Sequence, residues 1–202
     1  MSSQSGRNIK KLKFACWNVR TLLDNSTSDR PARRTALLAM ELSRYNIDVA
    51  ALSETRFEGD GSLEETGLGY TFFWKGVSAG SRRIHGVGFA VKSSLLPSFQ
   101  ERPVGISERI MSWRLPLERS RYATLFSIYA PTLVSPESDK DCFYDSLATQ
   151  LNRVPSADKI ILLGDFNARV GTKHDVWSGV MGHHGIGSCN DNGLRLLSLC
   201  SE

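Results

Sequence analysis

Short apolar runs that end in polar residues recur along the chain, and the clearest is KIILLGDFNARVG at residues 159–171. Its first half is apolar from residue 160 to 163 and is closed by Gly164. A continuous apolar run of this length favours a central strand covered on both faces over an amphipathic helix. Asp165 and Asn167 then stand at the carboxyl end of that strand, where open sheets tend to place chemistry. In turns the same residues commonly bond their own backbone, and this segment alone favours that simpler interpretation.

Six further runs of apolar or alternating residues predict strands. They occupy residues 13–20, 47–56, 70–76, 86–92, 109–118 and 121–131. The first two are predicted to be buried, and each ends in polar side chains. Arg119 and Ser120 separate the last two runs and predict a hairpin between them.

Helical spacing predicts a first helix between the first two strands. Asp29 is its predicted cap, Pro31 lies in its first turn and Asn46 ends it. The predicted apolar face consists of Ala36, Leu37, Met40, Leu42 and Tyr45. The arginines in this region are predicted to lie on a solvated face, as charge clusters usually do. They are Arg30, Arg33 and Arg34.

Two more helices are predicted, at residues 136–153 and from Asn190 or Asp191 onward, where either residue could be the cap. A loop rich in Gly and His covers residues 171–188. Strands and helices in mixed order, with hairpins in the middle, predict an α/β fold with much antiparallel pairing. Two sheets packed face to face, with helices outside, would cover both faces of the most apolar strands.

Composition predicts one globular domain, since 202 residues that are 41% hydrophobic can bury a sizeable core. No segment approaches the roughly 18 apolar residues of a membrane span, and the short basic tail at residues 1–12 lacks a secretory signal.

The four cysteines are predicted as free thiols, three of them in apolar segments where a thiol packs as a small hydrophobe, which fits an intracellular setting. Trp17 and Trp113 are predicted core residues. A net charge of +4 suits a polyanionic partner but decides little.

Polar side chains follow four strands that are distant in the chain, and we expect them to meet. They are Asn18, Glu54, Tyr129, Asp165 and Asn167. Two carboxylates, two amides and a phenol suit Mg²⁺, which takes oxygen ligands and retains several waters. Zinc is disfavoured because no Cys/His cluster has suitable spacing, and the histidines of the Gly-rich loop are predicted to be solvent-exposed. These histidines are His174, His183 and His184, close to Cys189.

The motifs WNVR, LSETR, IYAPT and GDFNARVG, in that order, resemble the endonuclease/exonuclease/phosphatase superfamily. The resemblance is greatest to the endonuclease domain of RTE-type non-LTR retrotransposons and to craniofacial development protein 2-like proteins, which derive from such elements. It implies a four-layer α/β sandwich of two packed mixed β-sheets flanked by helices. It also implies hydrolysis of phosphodiesters in DNA with Mg²⁺, or Mn²⁺ as a substitute, nuclear residence, and a reverse transcriptase domain in a longer parent chain.

Carried over position by position, the resemblance gives each strand-end residue a role. Glu54 would ligate the metal, and Asn18 would support the metal or the neighbouring carboxylate. Asp165 would orient and deprotonate the attacking water, while Asn167 would hold the phosphate or that aspartate. Tyr129 would donate to a phosphate oxygen as charge accumulates there.

Two further residues are predicted to bind substrate. Arg56 matches a position that is usually basic in relatives and would also orient the glutamate. Asn192 lies at the start of the last predicted helix, whose amino terminus could face a phosphate, although the simplest reading is a helix cap. Arg20 stands where apurinic-site repair enzymes typically have an aspartate, and this departure favours a retroelement nickase over a repair enzyme.

The family completes its site with a later Asp-His pair in a Ser-Asp-His motif, and no such motif precedes Glu202. The resemblance therefore predicts a domain at residues 13–202 that is incomplete at its carboxyl end, with an unpaired sheet edge and weak or absent activity. Two alternative functions stay open. One is a phosphatase or phospholipase-like member of the same superfamily, and the other is a non-catalytic binding module derived from a retroelement.

Overall fold

The computed structural model describes residues 11–24, 33–117 and 120–201, which form nine strands, three α-helices and one 3₁₀ helix. The strands are β1 (Phe14–Asn18), β2 (Val49–Ser53), β3 (Asp60–Glu65), β4 (Tyr70–Lys75), β5 (Val87–Lys92), β6 (Val104–Ser107), β7 (Ile110–Pro116), β8 (Tyr122–Tyr129) and β9 (Lys159–Asp165). The helices are α1 (Arg34–Arg44), α2 (Glu137–Leu151), α3 (Asp191–Ser201) and the 3₁₀ helix Ser93–Ser98. The predicted helix start at Asp29 and Pro31 lies outside the described residues, as does Arg119.

The strands form two mixed sheets, with the orders β1-β2-β5-β4-β3 and β6-β7-β8-β9. The pairs β1/β2 and β8/β9 are parallel, and all other neighbours are antiparallel. Helix α1 packs on the outer face of the first sheet, and α2 and α3 pack on the outer face of the second. The predicted four-layer α/β sandwich is therefore confirmed. No helix within the described ranges has the length and apolar character that crossing a bilayer requires.

Alternating side chains along the central strands build these layers. Val49 and Ala51 of β2 face the second sheet, whereas Ala50 and Leu52 face α1. Because successive side chains of a strand point to opposite faces, a strand that is apolar at every position needs cover on both sides. Trp113 is buried between the sheets, as predicted. The same inter-sheet core contains Val87, Phe89, Val91, Met111, Leu115 and Leu125.

The end of β9 lies very close to β8. In their parallel register Gly164 pairs with Ile128, and Asp165 pairs with Tyr129. A Cβ atom on Gly164 would lie 2.0 Å from the carbonyl oxygen of Ile128, and the φ angle of this glycine is +145°. Only glycine fits both conditions. The glycine that closes the apolar run thus permits the approach that sets Asp165 opposite Tyr129.

Two strands that were predicted to be buried lie at sheet edges. Strand β9 pairs only with β8 among the described strands, and Ile160 is 47% exposed. Strand β1 pairs only with β2 among them, and Trp17 is 42% exposed. The predictions of a central β9, a buried β1 and a core Trp17 were therefore wrong. An apolar run reports burial of the strand faces, but it does not report whether a second strand covers the free edge.

The apolar face of α1 also differs from the prediction. Leu38 and Leu42 are buried against the first sheet, whereas Leu37, Met40 and Tyr45 are exposed. The prediction was right for Leu42 and wrong for Leu37, Met40 and Tyr45, because apolar residues occur around the whole helix. All four cysteines are free, as predicted, but they are exposed rather than packed as small hydrophobes.

Candidate active site

Three strand ends meet where the two sheets adjoin. Asn18 ends β1, Glu54 directly follows β2, and Asp165 ends β9. The side-chain nitrogen of Asn18 donates to Glu54 Oε1 and to Asp165 Oδ2, both at 2.8 Å. One amide thus joins two carboxylates that come from different sheets, and the structure brings together the groups that the sequence predicted to converge.

The backbone around these groups adopts a conformation that most side chains avoid. Glu54, Arg56 and Asn167 have φ angles of +57°, +60° and +48°, and Arg20 has a φ angle of +57°. Among the described residues, only two other non-glycine residues share this left-handed region. Such conformations cost about 1–3 kcal/mol each and persist where the surrounding structure fixes them. Their clustering indicates that the fold imposes the orientation of these side chains.

The carboxylate of Glu54 is held in its charged form. Burial raises the pKa of Glu54, but hydrogen bonds from Asn18, Arg56 and Tyr129 outweigh burial and hold this pKa below its ordinary value of 4.5. Arg56 Nη2 lies 2.9 Å from Glu54 Oε2. Burial, together with the negative charge of Glu54, raises the pKa of the Tyr129 phenol, which therefore keeps its proton at neutral pH. A charged acceptor and a protonated donor stand side by side.

Asp165 is oriented by the loop that follows it. The backbone N–H of Asn167 donates to Asp165 Oδ1 at 2.9 Å, while Asn18 occupies Oδ2. The side-chain nitrogen of Asn167 donates to the carbonyl oxygen of Ala130 at 2.8 Å, so this amide ties the loop after β9 to the loop after β8. In this arrangement Asn167 holds the aspartate through its backbone, which is one of the two roles predicted for it.

Asn192 occupies a different place from the one predicted for a phosphate ligand. Its side chain is 1% exposed, and its nitrogen donates to the carbonyl oxygens of Pro131 at 2.9 Å and Asn167 at 3.1 Å. The neighbouring Asn190 caps α3, because its Oδ1 accepts the N–H of Gly193 at 2.8 Å, as predicted. Asn192 therefore anchors α3 to the loops that follow β8 and β9. Its contact with substrate stays a prediction. Because Asn192 is buried, an effect on substrate would act through the two loops that it joins.

Sequence reasoning missed two residues beside Tyr129. Arg109 Nη1 donates to the Tyr129 carbonyl oxygen at 3.1 Å, Nη2 lies 3.1 Å from His85 Nε2, and the guanidinium lies 5.4 Å from the centre of the phenol ring. Burial, reinforced by the charge of Arg109, lowers the pKa of His85. Both residues precede antiparallel strands, β7 and β5. The start of an antiparallel strand lies at the same edge of the sheet as the end of its neighbour. Polar residues that precede strands were therefore a signal that the sequence offered.

The donor set fits a hard divalent cation. Glu54 is charged, Asp165 lies one amide away, and Mg²⁺ needs only one or two protein carboxylates because it keeps several waters and takes phosphate oxygens. Across residues 11–24, 33–117 and 120–201, no group of three or more His, Cys, Asp and Glu side chains could hold a metal ion, so a cation here would take at most two such side chains as ligands.

Comparison with known proteins agrees with this geometry. The chain is 28% identical over 187 residues to craniofacial development protein 2 from Tragulus javanicus, a match that covers 91% of this chain and 29% of that protein. This chain thus spans less than a third of the curated relative. The craniofacial development protein 2 resemblance is confirmed, while an RTE-type origin stays a prediction.

Solved structures share the fold at low identity. The AP endonuclease LMAP from Leishmania major superposes with a TM-score of 0.58 at 18% identity, covering 79% of this chain and 56% of that one. Danio rerio TDP2 complexed with a single-strand DNA product gives a TM-score of 0.50 at 16% identity, covering 77% and 60%. The model of the Endonuclease/Exonuclease/phosphatase family matches residues 15–188, most of the sequence. The chain therefore belongs to the Endonuclease/Exonuclease/phosphatase family.

Proposed function

We propose that the chain is a Mg²⁺-dependent phosphodiester hydrolase that nicks DNA. The observation that carries this proposal is the pair of carboxylates, Glu54 and Asp165, joined through the Asn18 amide at 2.8 Å on each side. Two carboxylates joined by one amide, beside a protonated phenol, form an arrangement suited to a phosphate ester.

Each residue has a role that follows from its contacts. Glu54 would hold Mg²⁺ or Mn²⁺, which when bound would neutralise charge on the scissile phosphate. Asn18, whose amide nitrogen donates to Glu54 and Asp165, would support the metal indirectly by orienting these carboxylates. Asp165, fixed through both oxygens, orients the attacking water and accepts its proton. Tyr129 keeps its proton, donates a hydrogen bond to Glu54 in this structure and would turn this donor toward a phosphate oxygen as negative charge develops. Asn167 and Asn192 hold the loops after β8 and β9 together.

DNA is the proposed substrate because the structural neighbours include proteins described as an AP endonuclease and as TDP2 in complex with a DNA product. The net charge of +4 is compatible with a polyanion. An origin in an RTE-type retrotransposon, a reverse transcriptase domain in a longer parent chain and residence in the nucleus belong to the same proposal.

We expect nicking to be slow. The sequence contains no Ser-Asp-His motif, and a general acid-base group of that kind typically contributes about 10²- to 10⁴-fold in rate. The oriented Asp165 and the protonated Tyr129 would supply the remaining rate over the uncatalysed reaction.

The test is conversion of supercoiled plasmid to the nicked circle in Mg²⁺ or Mn²⁺. Glu54→Gln and Asp165→Asn are each expected to remove nicking, while Glu64→Gln, at an exposed carboxylate of β3, should keep it. A second readout is the rise in melting temperature on addition of the cation, which Glu54→Gln should abolish and Glu64→Gln should not.

Other outcomes would redirect the assignment. Turnover of soluble phosphate esters with intact plasmid would identify a phosphatase-like member of the family. Binding of DNA that survives Asp165→Asn, with no turnover by the wild-type chain, would identify a binding module.

A further inference from the structure

Arg56 forms an unusual ion pair, because its partner is the carboxylate that the proposed cation needs. Arg56 Nη2 lies 2.9 Å from Glu54 Oε2, and the Glu54 side chain is only 16% exposed. The other oxygen, Oε1, accepts the amide of Asn18. Both oxygens of Glu54 thus carry a donor already, and one of these donors bears a full positive charge.

A divalent cation that approaches Glu54 must share Oε2 with this guanidinium or displace it. Two positive groups on one partly buried carboxylate oxygen repel each other more strongly than they would in water, since the effective dielectric constant is lower. The Asn18 amide poses no such conflict because it is neutral and can stay on Oε1.

The hydrogen bonds of Arg56 would allow its guanidinium to be displaced. Its backbone is fixed, because its N–H donates to the carbonyl oxygen of His85 at 3.0 Å and its φ angle is +60°. Its side chain is held less firmly: Nη2 donates to Glu54, while Nε is buried and has no hydrogen-bond partner. By contrast, Arg114 grips Asp158 through both Nε and Nη2, at 2.7 Å and 3.0 Å.

We propose that Arg56 is a resident counter-charge of Glu54 that competes with the divalent cation and, once displaced, binds a phosphate of the DNA. This inference rests on the proposed function and adds the order of events at the site. Before loading, the guanidinium neutralises Glu54. After loading, the planar group turns its donors toward the phosphate backbone, which arginine recognises well.

The inference predicts shifts of opposite sign for the two ligands when the charge at position 56 is removed. Arg56→Gln should tighten Mn²⁺ binding about tenfold, because the competing charge is gone, and should weaken DNA binding about tenfold, because a phosphate contact is gone. Arg56→Lys keeps the charge and should stay within about threefold of wild type for Mn²⁺. A merely structural arginine would weaken both ligands together.

The Mn²⁺ affinity is measured by isothermal titration calorimetry without DNA. The DNA affinity is measured by fluorescence anisotropy of a labelled duplex in saturating Mn²⁺, with Asp165→Asn in every chain so that the strand stays intact. Melting curves check folding. If Arg56→Gln does not fold, Arg56→Asn replaces it, because asparagine tolerates a left-handed backbone.

Each result decides the matter. Tighter Mn²⁺ with weaker DNA binding supports the inference. Unchanged or weaker Mn²⁺ binding by the charge-removing variant overturns it, and so does unchanged DNA binding. If the wild-type chain binds Mn²⁺ and Glu54→Gln does not, the proposed cation site stands even when the Arg56 inference fails. If the wild-type chain binds no Mn²⁺, both fall.

Discussion

Two asparagines show how the same side chain serves different ends in this site. Asn18 donates both hydrogens of its amide to carboxylates, whereas Asn192 donates both to backbone carbonyl oxygens. An amide nitrogen has two donors, so each asparagine can join two acceptors that would otherwise face each other unpaired. Asn18 therefore links the two carboxylates of the candidate site, and Asn192 links the loops that follow β8 and β9.

The burial of Asn192 predicts a measurable loss of stability on truncation. Asn192→Ala removes the donor from two carbonyl oxygens, and we expect the free energy of unfolding in urea to fall by about 2 kcal/mol. Asn152→Ala, at an exposed position after α2, is the matched control and should change the free energy by less than about 0.5 kcal/mol. Equal effects of the two substitutions would contradict the anchoring role of Asn192.

At this scale the sequence predicted the site well, but only where the side chains follow strands. Asn18, Glu54 and Asp165 were found because apolar runs point to them. His85 and Arg109 were missed because they precede strands, and their apolar neighbours predicted only the strand itself. The anchoring role of Asn192 could not be read from its helix position, since its two acceptors come from loops elsewhere in the chain.

At the scale of elements, one ion pair connects three strands of the second sheet. Asp158, just before β9, accepts two hydrogen bonds from Arg114 of β7 and one from Thr124 of β8, the last at 3.0 Å. The Asp158 side chain is almost fully buried. This contact connects the three strands at the end opposite to Tyr129 and Asp165. The register of the strands at the candidate site therefore depends on it.

This contact predicts a pH-dependent stability. The hydrogen bond from Arg114 holds the pKa of Asp158 below its ordinary value of 3.8. A carboxylate with a lowered folded pKa stabilises the protein above its ordinary pKa, and this contribution disappears as pH falls through the folded value. Asp158→Asn should therefore lower the melting temperature by several degrees at pH 7. The difference from wild type should shrink as pH falls below 3.8.

Differential scanning fluorimetry across this pH range measures the effect. Asp60→Asn is the control, because Asp60 pairs with Lys75 at an exposed position and should matter little at either pH. A deficit of Asp158→Asn that is independent of pH would show that shape rather than charge explains the contact.

The strands and helices themselves were predicted more reliably than the order of the strands in each sheet. Strand β9 and helix α2 appear where apolar spacing placed them, but spacing gave no information on which strand occupies an edge. That property depends on pairing between segments far apart in the chain. The short strands β3 and β6 were not predicted, since DGSLEE and VGIS lack a continuous apolar run.

At the scale of the whole molecule, neither sheet alone contains the site. Asn18 and Glu54 belong to the first sheet, and Tyr129 and Asp165 belong to the second. The core between the sheets therefore sets the distance between the two carboxylates. Substitutions that change the spacing of this core should reach the site even though they touch none of its side chains.

The edge of β9 predicts self-association. Its only strand partner among the described residues is β8, and Ile160 is 47% exposed along this strand. Unpaired backbone groups beside an exposed apolar side chain favour pairing with a second copy, which an edge lysine opposes. Sedimentation velocity should show oligomers that grow with concentration, and Ile160→Lys should reduce them. Val176→Lys, at a loop residue that is 71% exposed, should not.

The left-handed backbone at Glu54 and Arg56 carries an evolutionary consequence. Glycine or asparagine at these positions would relieve the backbone strain, so a lineage could gain heat resistance by replacing these two side chains of the candidate site. Selection for stability alone would favour replacement of Glu54 and Arg56. Glutamate and arginine at φ angles near +60° therefore give up stability that glycine or asparagine would restore.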